Sequence, residues 1–401
     1  MRVAFVVQRY GNEVVGGAES LARQLARRVV EDLHIEVEVF TTTAKDYTSW
    51  ENYYSEGQEV LDGIKVHRYN SEFKRRRVIF GLYKKIVTPV IEFCARFSFL
   101  ESVQLFLERY WFVLQGPFCP ALVRAIAQKK DLFHRYYFFT YLYYPTVMGL
   151  PAVRDRAVLF PTAHNEKPFF FKTIKKLISS PKMILANTPF EKFLVERNLC
   201  ANVPIKIAGI GFDKSLLQMG RVLNKARDIK YILYLGRIGR AKGVDTLIKN
   251  FLNYISEHDV SDLHLYLAGR LEDVDIPDNS SIKYLGFVDD DEKNRLIADA
   301  CCLVNPSMYE SLSIIVIEAM VLMVPVLVNE NCEVLRHYCD ETKTVFGYKD
   351  RESFNAKLSH ILESGFGLSG KMRGELESTR DWAVQRFSWE SVTRVFGETL
   401  I

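Results

Sequence analysis

At 401 residues, 48% of them hydrophobic and 25% charged, the chain is longer than one hydrophobic core usually serves, and its composition suits a folded globular protein of two domains. A net charge of only +4 argues against a dedicated nucleic-acid binder. Its seven cysteines (94, 119, 200, 301, 302, 332 and 339) form no CxxC pair and have no histidine at metal-ligand spacing, which points to a reduced, cytoplasmic chain without a zinc site.

The first apolar run, at 2–7, is too short for a secretory leader or a membrane span and predicts a buried strand. Further strand-like runs follow at 36–40, 64–69, 131–134, 157–160 and 182–186. Helical patterns separate most of them, as at 18–30, where Leu21, Leu25 and Val29 share one face. The second half repeats the alternation, with strands expected at 231–235, 263–268, 282–285, 302–305 and 326–328. Helices are expected between them at about 243–256, 291–300 and 313–322. Short apolar strands alternating with helices predict an α/β protein whose parallel sheets are covered on both faces. A boundary near 208–228, at Gly209-x-Gly211 and the polar stretch 220–228, separates residues 1–210 from residues 211–385.

Residues 72–115 break the alternation. The segment opens on Lys74-Arg75-Arg76-Arg77, continues through Lys84 and Lys85, and carries Phe93, Phe97, Phe99, Phe106, Trp111 and Phe112. Basic residues followed by an aromatic amphipathic helix suit an anionic membrane surface. The same pattern also suits a helix pair packed on its domain with a solvated basic rim. Nucleic acid is not expected here, because no stacking motif accompanies the charge. Downstream, Tyr136 to Phe139 with Tyr141, Tyr143 and Tyr144 suits either a path for a lipid-linked acceptor or a domain core.

Three segments carry candidate chemistry. Glu310-Ser311-Leu312-Ser313 and Glu318 follow the strand 302–305 and run into a helix expected from Ser313. That position, past the carboxyl end of a parallel strand, is where open α/β sheets bind ligands, and the amides of Ser311, Leu312 and Ser313 would offer helix N-terminal donors to a diphosphate. Arg237 and Lys242, spaced by Gly236, Gly239 and Gly243, put two cations on the loop after 231–235 and suit the same anion. The spacing is not that of a P-loop. A glycine-rich turn with Gly16 and Gly17, ending in Ala18-Glu19, follows the first strand but lacks the G-x-G-x-x-G spacing. Asp289-Asp290-Asp291 precedes a helix and reads as a cap rather than a metal site.

Together the segments resemble the retaining glycosyltransferases of family 4, which have the GT-B fold. Glu310-x7-Glu318 resembles that family's E-x7-E motif, Arg237-x4-Lys242-Gly243 its R-x4-KG motif, and Gly16-Gly17-Ala18-Glu19 its N-terminal GGAE. Gly286-Phe287-Val288, Pro306-Ser307 and Phe387-Ser388-Trp389-Glu390 extend the similarity over nearly the whole chain. The resemblance implies two Rossmann-like domains with parallel sheets facing a central cleft, and a C-terminal segment, 386–401, that returns to the N-terminal domain. It implies that Glu318 binds the donor's ribose, that Glu310 with residues 311–313 holds the donor sugar, and that Arg237 and Lys242 neutralise the diphosphate, so that no metal or other cofactor is required. Gly16 and Gly17 would face the diphosphate, and His164, in Thr162-Ala163-His164-Asn165, resembles a histidine placed near the sugar.

The implied reaction is transfer of a hexose from a UDP- or GDP-sugar, UDP-glucose being favoured, to a glycan or lipid-linked acceptor in polysaccharide biosynthesis, at the inner face of the membrane. A sugar-nucleotide epimerase of the same fold and a non-catalytic nucleotide-sugar-binding module are the rival classes; a dehydrogenase is disfavoured by the missing dinucleotide fingerprint. One departure bears on the sugar site: the family's Glu-Gly-Phe-Gly-Leu is Glu310-Ser311-Leu312-Ser313-Ile314 here, with serines where glycines allow the closest approach.

Overall fold

The computed structural model describes residues 1–14, 16–212, 214–219, 229–364 and 370–401. Val15 of the glycine-rich turn and the polar stretch 220–228 lie outside the described residues. The chain divides into unit 1, Met1–Ile210 with Val392–Ile401, and unit 2, Gly211–Ser391.

Unit 1 is built on an eight-stranded sheet of β1 (Arg2–Val6), β2 (Glu36–Thr42), β3 (Gly57–Leu61), β4 (Ile64–Tyr69), β5 (Arg135–Phe139), β6 (Ala157–Phe160), β7 (Met183–Ala186) and β8 (Ile205–Ile207). The order is β3-β4-β2-β1-β5-β6-β7-β8, parallel throughout except for the antiparallel β3–β4 pair. Chain segments that read as unbroken apolar runs, such as Val3 to Val6 and Val158 to Phe160, are the central strands, with essentially no exposed surface. Burying each such side chain is worth about 1.5–3 kcal/mol before chain entropy is counted.

The strand expected at 131–134 lies elsewhere: those residues form a turn, and β5 occupies 135–139. The reason is in the aromatic run itself, which lies between β1 and β6 with both faces covered. Tyr136, Tyr137, Phe138 and Phe139 are all fully buried, so the run is core and lines no acceptor path. The Tyr137 hydroxyl shares a hydrogen bond with Thr399 at 2.5 Å, and its ring stacks on Phe396 at 4.4 Å. With Arg135 donating to the Thr399 carbonyl at 2.9 Å, these contacts hold the C-terminal residues onto unit 1. The helix Trp389–Gly397 thus starts in unit 2 and ends in unit 1.

Unit 2 carries a six-stranded parallel sheet of β9 (Lys230–Leu235), β10 (Leu263–Ala268), β11 (Ile282–Gly286), β12 (Cys302–Asn305), β13 (Val326–Asn329) and β14 (Val345–Tyr348), in the order β11-β10-β9-β12-β13-β14. The helix Val244–Glu257 covers it with Val244, Leu247 and Phe251, all fully buried. Asp289 caps the helix Asp290–Asp299 by accepting the Glu292 amide at 2.8 Å.

Candidate functional site

In unit 2 the strand order reverses between β9 and β12, so the loops that leave their carboxyl ends diverge and open a crevice. Residues 236–243 and 306–313 fill that position. Gly243 makes their approach possible: its φ is +73°, and a Cβ there would lie 2.6 Å from the Pro306 carbonyl oxygen. Across this contact Lys242 Nζ meets Glu310 Oε1 at 2.8 Å, with side chains 24% and 16% exposed, so the pair is shielded yet open to a ligand. Arg237 Nη1 lies 3.6 Å from Glu272 Oε1, and the Arg237 carbonyl accepts the Tyr234 hydroxyl at 2.6 Å. Burial raises the Tyr234 pKa, the charges of Glu310 and Glu272 raise it further, and that of Arg237 lowers it. Lys242 and Glu310 therefore meet at this switch point, and Arg237, on the same loop as Lys242, pairs with Glu272.

The loop beyond Glu310 differs in detail from the expectation. The helix runs Ile314–Val321, one residue later than expected, and Ser313 precedes it in the left-handed region at φ 61°. The amides of Val316 and Ile317 bond to the Ser313 carbonyl, so the helix N-terminal donors are the amides of Ser313, Ile314 and Ile315, with Ser311 and Leu312 on the loop before them. Leu312 is buried, its carbonyl accepting the Tyr338 hydroxyl at 2.6 Å. The cause is a serine in a backbone conformation that costs a non-glycine residue about 1 kcal/mol. It is held there by a hydrogen bond of 2.8 Å from Asn305 Nδ2 to Ser313 Oγ.

Glu318 is buried on the helix, where its Oε1 meets Lys293 Nζ at 2.8 Å; Lys293 also reaches Asp290 at 3.1 Å. Burial raises the Glu318 pKa, and the Lys293 ammonium pulls it back. Burial works against the Lys293 charge in turn, but Glu318 and Asp290 more than offset it, and its pKa is raised. Sequence reasoning missed Lys293. Its one signal was a lysine three residues after Asp290 on the helix behind the acidic run, a spacing that reads equally well as solvated surface.

In unit 1 the order reverses between β1 and β5, and the glycine-rich turn occupies that switch point. Glu19, buried in the first turn of the helix Gly17–Leu33, accepts from Arg9 Nη2 at 2.5 Å, Arg9 Nε at 2.9 Å and Gln8 Nε2 at 2.7 Å. A Cβ on Gly16 would stand 2.2 Å from Glu19 Oε2, whereas one on Gly17 would meet nothing within 4 Å. Gly16 is thus fixed by the turn's own packing, and Gly17 presents open backbone. His164 follows β6 on the strand next to β5, its carbonyl accepting the Glu166 amide at 2.8 Å.

The loop that carries His164 is pinned by a residue not singled out from the sequence. Wholly buried Glu191 accepts the Ala163 amide through one oxygen and the Asn187 amide through the other, both at 2.6 Å. Burial lifts its pKa to about 7 from 4.5, against the pull of those two bonds. A carboxyl raised in the folded state stabilises most below its unfolded pKa and loses that contribution as pH rises through the folded value. Between about pH 4.5 and 7 the loss is on the order of 3 kcal/mol. Glu191→Gln abolishes the slope and turns an NH2 toward a backbone amide. The stability gap between wild type and variant in urea unfolding is expected to be wide at pH 5 and narrower at pH 8; a gap constant with pH would contradict a titrating Glu191.

Residues 229–364 match the family described as Glycosyl transferases group 1. In structure the chain is similar to sucrose-phosphate synthase from Thermosynechococcus elongatus, at a TM-score of 0.68 and 15% identity over 99% of this chain and 97% of that one. It is similar also to HepE from Anabaena in complex with UDP and glucose, at 0.64 and 14% over 100% and 99%. The Escherichia coli trehalose-6-phosphate structure bound with UDP-2-fluoro glucose gives 0.67 and 11% over 100% and 99%. The fold is GT-B. Among curated proteins, an uncharacterised glycosyltransferase of Methanocaldococcus jannaschii is 25% identical over 242 residues, 55% of this chain; the match spans little more than half of that relative, 57% of its length. The group 1 domain and the GT-B architecture together support a glycosyltransferase.

Proposed function

We propose that this GT-B chain is a retaining hexosyltransferase of the family 4 type. It moves a hexose from a nucleotide-diphosphate sugar, UDP-glucose in first place, to a glycan or lipid-linked acceptor in polysaccharide biosynthesis. It works in the cytoplasm, peripherally at the inner face of the membrane. The observation that carries the reading is the 2.8 Å contact of Lys242 with Glu310 at the unit 2 switch point, on a loop that also carries Arg237. That grouping sets cations for a diphosphate against a carboxylate for sugar hydroxyls. HepE binding UDP and glucose, and the trehalose-6-phosphate structure binding UDP-2-fluoro glucose, favour a UDP-sugar donor.

In the proposed reaction the bond from the sugar's anomeric carbon to the β-phosphate oxygen breaks, and a bond to the acceptor oxygen forms on the same face. The acceptor proton passes to the departing phosphate. Arg237 and Lys242 take up the charge that develops on the diphosphate and so supply the positive charge without a resident metal, the kind of stabilisation that lowers a barrier most. Glu310 with the 311–313 loop orients the sugar hydroxyls, Glu318 accepts from the ribose, Ser313, Ile314 and Ile315 offer backbone donors, Gly17 with Gly16 presents backbone to the diphosphate, and His164 serves the sugar.

A panel of UDP- and GDP-sugars in thermal unfolding tests the donor. A donor at a hundred times its Kd stabilises by about 2.7 kcal/mol, a shift of a few degrees. UDP-glucose is expected to give that shift and GDP-mannose none. No shift with any nucleotide sugar would refute the reading, and an epimerised donor formed without acceptor would replace it with the epimerase class.

A further inference from the structure

Of the three helices between β4 and β5, the first two, Arg77–Cys94 and Glu101–Gln115, pair as a hairpin joined through a turn at Ser98–Leu100. One side of the pair is fixed to unit 1: Phe80, Ile91, Trp111 and Phe112 belong to the core that holds Val6 and Phe138. Buried Glu108 accepts the Lys172 and Thr173 amides at 3.0 and 2.7 Å. This anchoring holds a second, apolar side out in water. Leu82, Ile86 and Phe93 recur along the first helix at a spacing that places them on one face, and Val103 and Phe106 do so along the second, with Phe99 in the turn that leads into it; Phe99 is 79% and Phe106 69% exposed. Of the 26 large hydrophobics exposed among the described residues, eleven fall within 77–115, about a tenth of the chain, so this surface stands apart from ordinary scattered exposure.

The charge beside the stripe is one-sided. Arg76, Arg77, Lys84, Lys85 and Arg96 are exposed. The acidic Glu92 and Glu101 are engaged by Lys167, Lys172 and Lys176 at 2.7, 2.7 and 2.9 Å. A second copy of the chain would bring like charges together across a two-fold axis, whereas an anionic lipid surface meets both the apolar stripe and its cationic border. The helices lie on such a surface rather than cross it: the first is about 27 Å long, it carries Lys84-Lys85 and Pro89, and no helix among the described residues is long and apolar enough to span.

We propose that this hairpin seats in the interface of an anionic bilayer, with Leu82, Ile86, Phe93, Phe99 and Phe106 at acyl-chain depth and Arg76, Arg77, Lys84 and Lys85 at the lipid phosphates. It names the surface behind the peripheral placement above and rests on that placement, not on sugar transfer. The test is co-sedimentation of the full chain with phosphatidylcholine vesicles, with and without phosphatidylglycerol, at low ionic strength. Binding to the mixed vesicles is expected, at least about tenfold weaker on phosphatidylcholine alone or in high salt. The Leu82→Ser/Phe99→Ser/Phe106→Ser variant and the Arg76→Glu/Arg77→Glu/Lys85→Glu variant should each weaken binding at least about tenfold. Both should keep the wild-type Tm and the UDP-glucose thermal shift, because the altered side chains are exposed and outside the donor site. Wild-type protein that stays in the supernatant with the anionic vesicles would overturn the proposal. So would variants that bind as wild type, or a serine variant that converts a dimer to a monomer while vesicle binding is unchanged.

Discussion

Replacing Lys242 by alanine is expected to lower kcat for hexose transfer by about 10²–10³-fold while the Tm moves by no more than a few degrees. The size of the kinetic loss follows from the role: an ammonium that faces charge arising only as the glycosyl–phosphate bond breaks contributes chiefly in the transition state, so kcat falls more than KM rises. The small effect on stability follows from exposure. Lys242 and Glu310 retain 24% and 16% of their side-chain surface, so water takes over part of the charge left on Glu310, and the penalty stays below the 3–5 kcal/mol typical of splitting a wholly buried pair. Arg237→Ala should act in the same direction, and Lys242→Arg should recover part of the loss. Initial rates at saturating UDP-glucose decide it; an unchanged kcat in either alanine variant would remove the two cations from the mechanism.

Those two cations were legible because their chemistry is local. Arg237, Lys242 and Gly243 stand on one loop after an apolar strand, and Glu310 follows another, so the βα alternation alone places both at strand carboxyl ends. What brings them into contact is the adjacency of β9 and β12, which joins strands about seventy residues apart and has no local trace in the sequence beyond the repeating pattern itself. Misreadings arose where two local signals competed. The run Arg135 to Phe139 has the β propensity of a strand, but Leu132 and Phe133 just before it carry the same apolar signal at 131–134, and the aromatic run suits a core or an acceptor path equally. Strand β3 is almost wholly exposed and so shows no hydrophobic alternation; its only signal was the Asp62-Gly63 turn into β4, where both residues take positive φ. The helix start slipped from Ser313 to Ile314 because the Asn305 contact that holds Ser313 in the left-handed region comes from a different element. Lys293 and Glu191 were invisible for the same reason: each matters through one carboxylate or one loop that only the fold brings near.

Lys293 leads to the second large effect. Ribose hydroxyls donate to Glu318 best when that carboxyl is ionised, yet burial favours its neutral form, and Lys293 at 2.8 Å is what opposes burial. In Lys293→Met the opposition is gone. The Glu318 pKa then rises further and the charged acceptor is lost to the ribose, so the Kd for UDP-glucose at pH 7 is expected to rise roughly tenfold, the worth of one hydrogen bond to a charged group. The two pH dependences then run in opposite directions. Donor affinity of the variant recovers as pH is raised, because the carboxylate reforms. The variant's stability falls as pH rises from the unfolded carboxyl value through the raised folded one, because a carboxyl whose folded pKa lies above its unfolded one stabilises least when ionised. The double variant Lys293→Met/Glu318→Gln should regain much of the stability lost at high pH and lose its slope without regaining the affinity, since a neutral amide avoids burying an unpaired charge but gives the ribose no charged acceptor. Calorimetric titration and urea unfolding at pH 7, 8 and 9 separate the two. If Lys293→Met bound UDP-glucose as wild type at every pH, Glu318 would not be the ribose acceptor, and the ion pair would be a device of packing alone.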